Sequence, residues 1–240
     1  MHIGTGMTRS IMCRFLLIKS KKEIAPQELL NKFADMAKNS RAPDGDRQGD
    51  GWGVAYKNPK SQIPNPKKYE WNVYKSLKPV WEDREAFHKI PAGSLFAVHA
   101  RSASFPNQKG NIEYNQPYIS NGQCFVFNGV LQGVKLTTPL AGEIGAQKIF
   151  SLFKLQLKTK KAHQALQTVD ETLQKNTRRI NGLNVGFLQD EALYVLCDYF
   201  VNADYFGVRY SETDDLTLVC SEPLAGFEWQ QMKKGEVKVF

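Results

Sequence analysis

From residue 13 onward, short apolar runs alternate with stretches of helical period. CRFLLIK (13–19) is a short continuous apolar run and reads as a buried strand. Pro26 suits the opening of a helix, because its missing N–H falls where no intrahelical bond is made. Leu29, Leu30, Phe33, Met36 and Ala37 then recur on one face of QELLNKFADMAKN. Residues 41–53, RAPDGDRQGDGWG, contain four glycines and read as turns. WGVAY and YEWNVYK read as strands, with the loop NPKSQIPNPKK between them. WEDREAFHKI reads as a short helix, and SLFAVHA as a strand ending at Arg101. A polar loop (102–118) precedes CFVF, a buried strand that ends in Asn128-Gly129. Helices are expected near 143–158 and 161–176, and strands with turns from about 181 to 240. Many strands with helices grouped between them predict an α+β fold, helices packed on antiparallel sheets.

The 240 residues suffice for one large domain or two small ones, and no internal boundary shows. With 42% apolar and 23% charged residues, the balance is that of a globular protein. The net charge of +8 comes from scattered lysines with acidic residues among them, so it reads as a solvated basic surface. No nucleic acid is expected as a partner. Of the four cysteines, none forms a C-x-x-C pair, and Cys124 and Cys220 sit in apolar runs as core thiols. No segment is apolar and long enough for a membrane span or a signal peptide, so a reducing cytoplasm is the expected compartment. No P-loop, dinucleotide fingerprint or G-x-S-x-G elbow occurs, and the four histidines lack metal-ligand spacing. Neither a metal nor a cofactor is expected.

Four segments remain that can carry chemistry. The first is Met12-Cys13-Arg14-Phe15-Leu16. Removal of Met12 would give Cys13 both a thiol and a free α-amine, and an amine of pKa near 8 can take the thiol proton. The alternative is a cysteine buried in a strand. The second is His99-Ala100-Arg101: a guanidinium leaving an apolar strand can grip a carboxylate, or form a surface ion pair. In the third, CFVFNGV, Asn128-Gly129 is either a hairpin turn or a pair of oxyanion donors. The fourth, RQGDGWG (47–53), brings Arg47, Gly51 and Trp52, with glycines that let backbone approach a reactive group. Residues 1–12, with three methionines and no periodicity, read as a leader, a mis-called start or a propeptide before a single domain, 13–240.

The order of these segments, with Asn115-x-Pro117 between the second and third, resembles the class II glutamine amidotransferases of the N-terminal-nucleophile hydrolase superfamily. The stand-alone proteins of that kind are the nearer likeness. The resemblance reaches the C-terminus through Ser221-Glu222-Pro223-Leu224, Trp229 and Gly235-Glu236. It implies a four-layer αββα sandwich of two antiparallel sheets. It implies an amidohydrolase in which Cys13 attacks an amide, Asn128 and Gly129 hold the oxyanion, and a γ-glutamyl thioester forms. Arg101 would bind the substrate carboxylate, while Arg47 or its loop, with Gly51 and Trp52, would shape the site. The small-molecule amide is the expected partner; with no residues after Phe240 for a second domain, the chain is expected either to act alone as an amidohydrolase or to pass ammonia to a separate enzyme. A silent ligand-binding protein on the same fold is the alternative.

Two positions depart from the resemblance. Phe127 precedes Asn-Gly where glutamine-using members have His. Gly145 stands where those members carry the Asp that binds the α-ammonium, leaving Glu143 as the nearby acid. Free glutamine is therefore expected to be a poor substrate.

Overall fold

Both faces of the first apolar run are covered. In the computed structural model, which describes residues 12–40, 45, 47–57 and 71–240, strand β1 spans Arg14–Ile24. Its Leu16 and Ile18 pack on one side with Leu30 and Phe33 of helix α1 (Gln27–Lys38). Phe15 and Leu17 pack on the other side, against a second sheet. A strand buried on both faces needs a continuous apolar run rather than alternation, which is what 15–18 supplies. The loop expected over NPKSQIPNPKK and the leader up to residue 11 lie outside the described residues.

The first sheet continues with β2 (Trp52–Lys57), β3 (Trp71–Ser76), β4 (Gly93–Ala100), β9 (Arg209–Glu212), β10 (Leu216–Cys220) and the short β11 (Gln230–Gln231). Its order is β11-β9-β10-β1-β4-β2-β3. The second sheet holds β5 (Tyr118–Ser120), β6 (Gln123–Val134), β7 (Thr177–Gln189), β8 (Ala192–Tyr199) and β12 (Glu236–Val239), in the order β12-β8-β7-β6-β5. Neighbouring strands run antiparallel in both sheets. Helices α2 (Gly145–Leu157) and α3 (Ala162–Asn176) cover the outer face of the second sheet, where Phe150, Phe153, Leu166 and Val169 meet Phe125, Val185 and Phe187. The layers are thus helix, sheet, sheet, helices, the αββα sandwich the resemblance implied. At Gly186 a Cβ would lie 2.6 Å from Leu17 Cδ1, so a side chain there would push the two sheets apart.

Three local expectations change. WEDREAFHKI forms two 3-10 turns, Val80–Glu82 and Arg84–Lys89, because Asp83 between them turns its carboxylate inward to accept from Trp52 Nε1 and Tyr74. The strand expected to stop at Asn128-Gly129 runs on to Val134, paired with β7 throughout, so Asn-Gly is no hairpin turn. A short helix α4 (Ala203–Phe206) closes over Met12. Among the described residues, no helix is long and apolar enough to cross a membrane.

Candidate active site

Three neighbouring strands end in one row. Arg14 of β1 lies opposite Ala100 of β4, which lies opposite Trp52 of β2. The next residues along are therefore Cys13, Arg101 and Gly51. The Arg101 N–H donates to the Gly51 carbonyl at 2.8 Å, and Asp50 N–H to the Arg101 carbonyl at 3.0 Å. Gly51 has φ +114°, and a Cβ there would stand 2.3 Å from Asn115 Nδ2. Only glycine fits both the conformation and the space.

Cys13 is half-buried, and its Sγ lies 3.5 Å from the Ser102 N–H and 3.6 Å from the Ser102 carbonyl. Arg14 holds the strand end from below. Its Nε binds Glu222 at 2.9 Å, its Nη1 donates to the Cys13 carbonyl, and its guanidinium lies 4.3 Å from the centre of the Tyr205 ring. This ion pair is buried, so losing one partner would cost on the order of 3–5 kcal/mol. It gives the Cys-Arg and Ser-Glu-Pro segments a shared physical purpose.

A cavity of about 700 Å³ opens beside the thiol, lined by Cys13, Arg101, Ser102, Gln116 and Gly129 among others. Gln116 clamps β6 from the side, donating to the Phe127 carbonyl and accepting from the Phe127 N–H. Successive residues of an antiparallel strand point their N–H groups to opposite edges. The Gly129 N–H therefore points to the same edge as that of Phe127, into the cavity rather than toward β7. A Cβ at Gly129 would fall 2.3 Å from the Gly182 carbonyl of β7, so glycine is required there too.

Several polar atoms around this site are buried without a protein partner. They include Asn128 Nδ2 and Oδ1, Arg101 Nη1 and Gln48 Oε1. Native interiors rarely leave such groups unbonded, and sites awaiting a ligand are one place they do. Asn128 faces the first sheet, as Val126 and Cys124 do two and four positions earlier on β6. Arg101 is 3% exposed; its Nη2 donates to the Gln108 carbonyl and its guanidinium sits 5.6 Å from the Tyr114 ring centre. Burial first, and the Arg101 charge second, push the His99 pKa down to about 3, so its imidazole is neutral near pH 7.

Of the residues expected at the site, Cys13, Arg101 and Gly129 line the cavity, and Asn128 stands next to Gly129. Gly51 supports it from behind. The other three are placed elsewhere. Arg47 is exposed and does not line the cavity; Gln48 is the buried residue of that loop, and its Nε2 donates to the Met12 carbonyl at 3.0 Å. Trp52 is fully buried on the α1 side, edge-on to Phe87, as strand alternation requires one position after Gly51. Glu143 is exposed and accepts from the Tyr114 hydroxyl, facing a neighbouring depression. Sequence reading passed over Ser102, Gln116 and Gln48, although each adjoins a residue it singled out.

The chain matches no protein-family model. No curated protein matches it in sequence. Solved structures do match. One is a glutamine aminotransferase class-II domain protein from Silicibacter pomeroyi, with TM-score 0.62 and 18% identity, covering 95% of this chain and 94% of that one. The fold is that of class II glutamine amidotransferase domains. Glutamine phosphoribosylpyrophosphate amidotransferase from B. subtilis superposes with TM-score 0.65 at 15% identity over 95% of this chain. An allosteric regulatory enzyme of purine biosynthesis does so with TM-score 0.66 at 13% identity. This chain spans 47% and 46% of those two longer proteins. In that setting the row Cys13–Arg101–Gly51 sits at one end of the sandwich, with β6 of the other sheet facing it.

Proposed function

We propose that the protein is an N-terminal-cysteine amidohydrolase of the class II glutamine amidotransferase kind, active once Met12 has been removed. The observation that carries this reading is Asn128: a buried amide with no protein partner, beside a glycine N–H that shares a cavity with Cys13.

In the chemistry proposed, the Cys13 α-amine takes the thiol proton and the thiolate attacks the amide carbon. Asn128 Nδ2 and the Gly129 N–H hold the oxygen of the tetrahedral intermediate. The intermediate collapses, the α-ammonium protonates the departing nitrogen, and ammonia or an amine leaves. Water, deprotonated by the same α-amine, then hydrolyses the thioester to a carboxylic acid and frees the thiol. Released ammonia passes to solvent or to a separate acceptor enzyme.

With Met12 attached, the Cys13 nitrogen is a peptide N–H with no basic lone pair, so that form is a precursor. Met12 is itself buried, against Tyr205 and Phe206. Once it leaves, Gln48 faces the new α-amine, and its unpaired Oε1 can orient that amine. Arg101 holds a substrate carboxylate. Among the described residues no Asp or Glu lines the cavity, which argues against a substrate with an α-ammonium group. The test is amide hydrolysis by protein with a verified N-terminal Cys13, beside Cys13→Ala. Turnover that survives Cys13→Ala contradicts the reading.

A further inference from the structure

The cavity extends far beyond what the reacting groups need. Cys13 lies at the end of the first sheet, just before β1, while Leu173, which lines the same cavity, belongs to α3 in the outermost helix layer. Between them an arm runs under α2, walled by Leu131 of β6, Leu136 and Leu140 of the loop after it, and Ile149 and Leu152 of α2. Ile149, Leu152 and Leu173 are core residues of the helix layer, so the arm is cut into the apolar core itself. At its rim stand Phe105, 60% exposed, and Val134, 41% exposed, two of the more exposed large apolar side chains among the described residues. About 700 Å³ lies in the range of pockets that take drug-sized ligands, and far exceeds what a free amino acid fills.

Charge adds a second constraint. Arg101 and Lys148 line this cavity, and Arg101 Nη1 is buried without a partner. With no carboxylate among the described lining residues, the complementary ligand is an anion with an apolar body, not a zwitterion.

From this we infer that the substrate is an N-acyl amino acid with an apolar acyl chain. The chain occupies the arm, the amide carbonyl meets Cys13, and the amino-acid carboxylate pairs with Arg101. Hydrolysis then breaks the C–N bond, consumes one water and releases a fatty acid and an amino acid. The inference rests on the amidohydrolase reading for its chemistry but on the cavity for its specificity, and the two can fail separately.

The experiment measures binding and turnover of N-acetyl-, N-hexanoyl- and N-decanoylglycine. Calorimetry with the Cys13→Ala protein gives affinity, and release of glycine by protein beginning at Cys13 gives rate. Each methylene that enters the arm is expected to tighten binding about fourfold. Decanamide, which lacks the carboxylate, is expected to bind at least about tenfold more weakly than N-decanoylglycine. Ala146→Phe, at a partly buried position of the arm, should abolish the gain from hexanoyl to decanoyl, with its melting transition as the check on folding. Chain-length-dependent binding without any turnover supports the pocket assignment and sinks the hydrolytic reading. Equal affinities across the three chain lengths overturn the inference, whatever the variant does.

Discussion

The Ser102 backbone N–H points at the Cys13 sulfur from 3.5 Å, which supplies a fixed donor to a thiolate formed there. The other three cysteines stand in the opposite situation. Cys124, Cys197 and Cys220 are buried, and burial pushes their thiols up, to about 12 for Cys197 and Cys220. Thiolate is the nucleophilic form. Iodoacetamide at pH 8 should therefore modify the native protein once, at Cys13. Peptide mapping that finds the label on Cys197 or Cys220 first would contradict this.

Substitution of Asn128 distinguishes the proposed oxyanion role from a structural one. Its amide makes no protein hydrogen bond, so replacing it with an apolar group of similar shape removes nothing the fold uses. Asn128→Leu should keep or raise the urea midpoint and lower the rate about 10²–10³-fold. A large fall in stability with the rate scaled only to the folded fraction would make Asn128 a core residue and nothing more.

Under the proposed function, Gly145 would govern the choice between an anionic and a zwitterionic substrate. A Cβ at this position meets nothing within 4 Å, and Gly145 lines the cavity at the first turn of α2. An aspartate fits there and is favoured by the helix dipole. Glutaminase activity should be poor in the unmodified protein and rise at least about tenfold in Gly145→Asp, since a paired α-ammonium is worth more than a decade. An ordinary glutaminase rate without the substitution, and no gain with it, would place another acid at the ammonium.

A buried acid pair sets a pH dependence unconnected with the site. Gln174 Nε2 donates to both Asp170 of α3 and Asp198 of β8, at 3.0 Å each. Burial, then the Asp170 charge, raise Asp198 to about 6, opposed by Lys234. Burial likewise raises Asp170, with the Glu171 charge adding and Lys234 opposing. A carboxyl raised in the folded state holds its proton more tightly there than in the unfolded chain. Its contribution is favourable below about pH 4 and is lost as pH climbs through 6. Asp198→Asn should therefore be more stable than the unmodified protein at pH 8, with the difference shrinking toward pH 4. Equal melting temperatures at pH 8 would show the pair to be solvated.

Much of the element pattern was legible from periodicity, whereas the four-layer arrangement came only from the resemblance. The α1 face, the continuous run at 15–18 and the helices near 145–157 and 162–176 each carry a pattern that one burial geometry explains. What periodicity could not show is where a strand with a functional interruption stops. Asn128-Gly129 breaks the apolar run of β6, yet pairing with Asn184 and Leu183 carries the strand through it. Loop residues were harder still. Within RQGDGWG the charged Arg47 drew notice, but the polar residue turned inward was Gln48, which donates to the Met12 carbonyl and to the Ser40 hydroxyl. Trp52 is likewise turned inward, since strand alternation sends it to the core one step after the site row.

The central claim is that Cys13 acts as nucleophile and its own α-amine as base. Its most direct test compares protein beginning at Cys13 with the same protein retaining residues 1–12. The measurement is release of glycine from N-decanoylglycine and of ammonia from glutamine, with intact-mass analysis after acid quench to detect an acyl group on Cys13. The expected result is amide hydrolysis and a thioester adduct only when Cys13 is the first residue, with a rate that falls as pH drops below the α-amine pKa near 8. Hydrolysis at the same rate with the leader in place, or no hydrolysis of either amide by the protein that begins at Cys13, would contradict it.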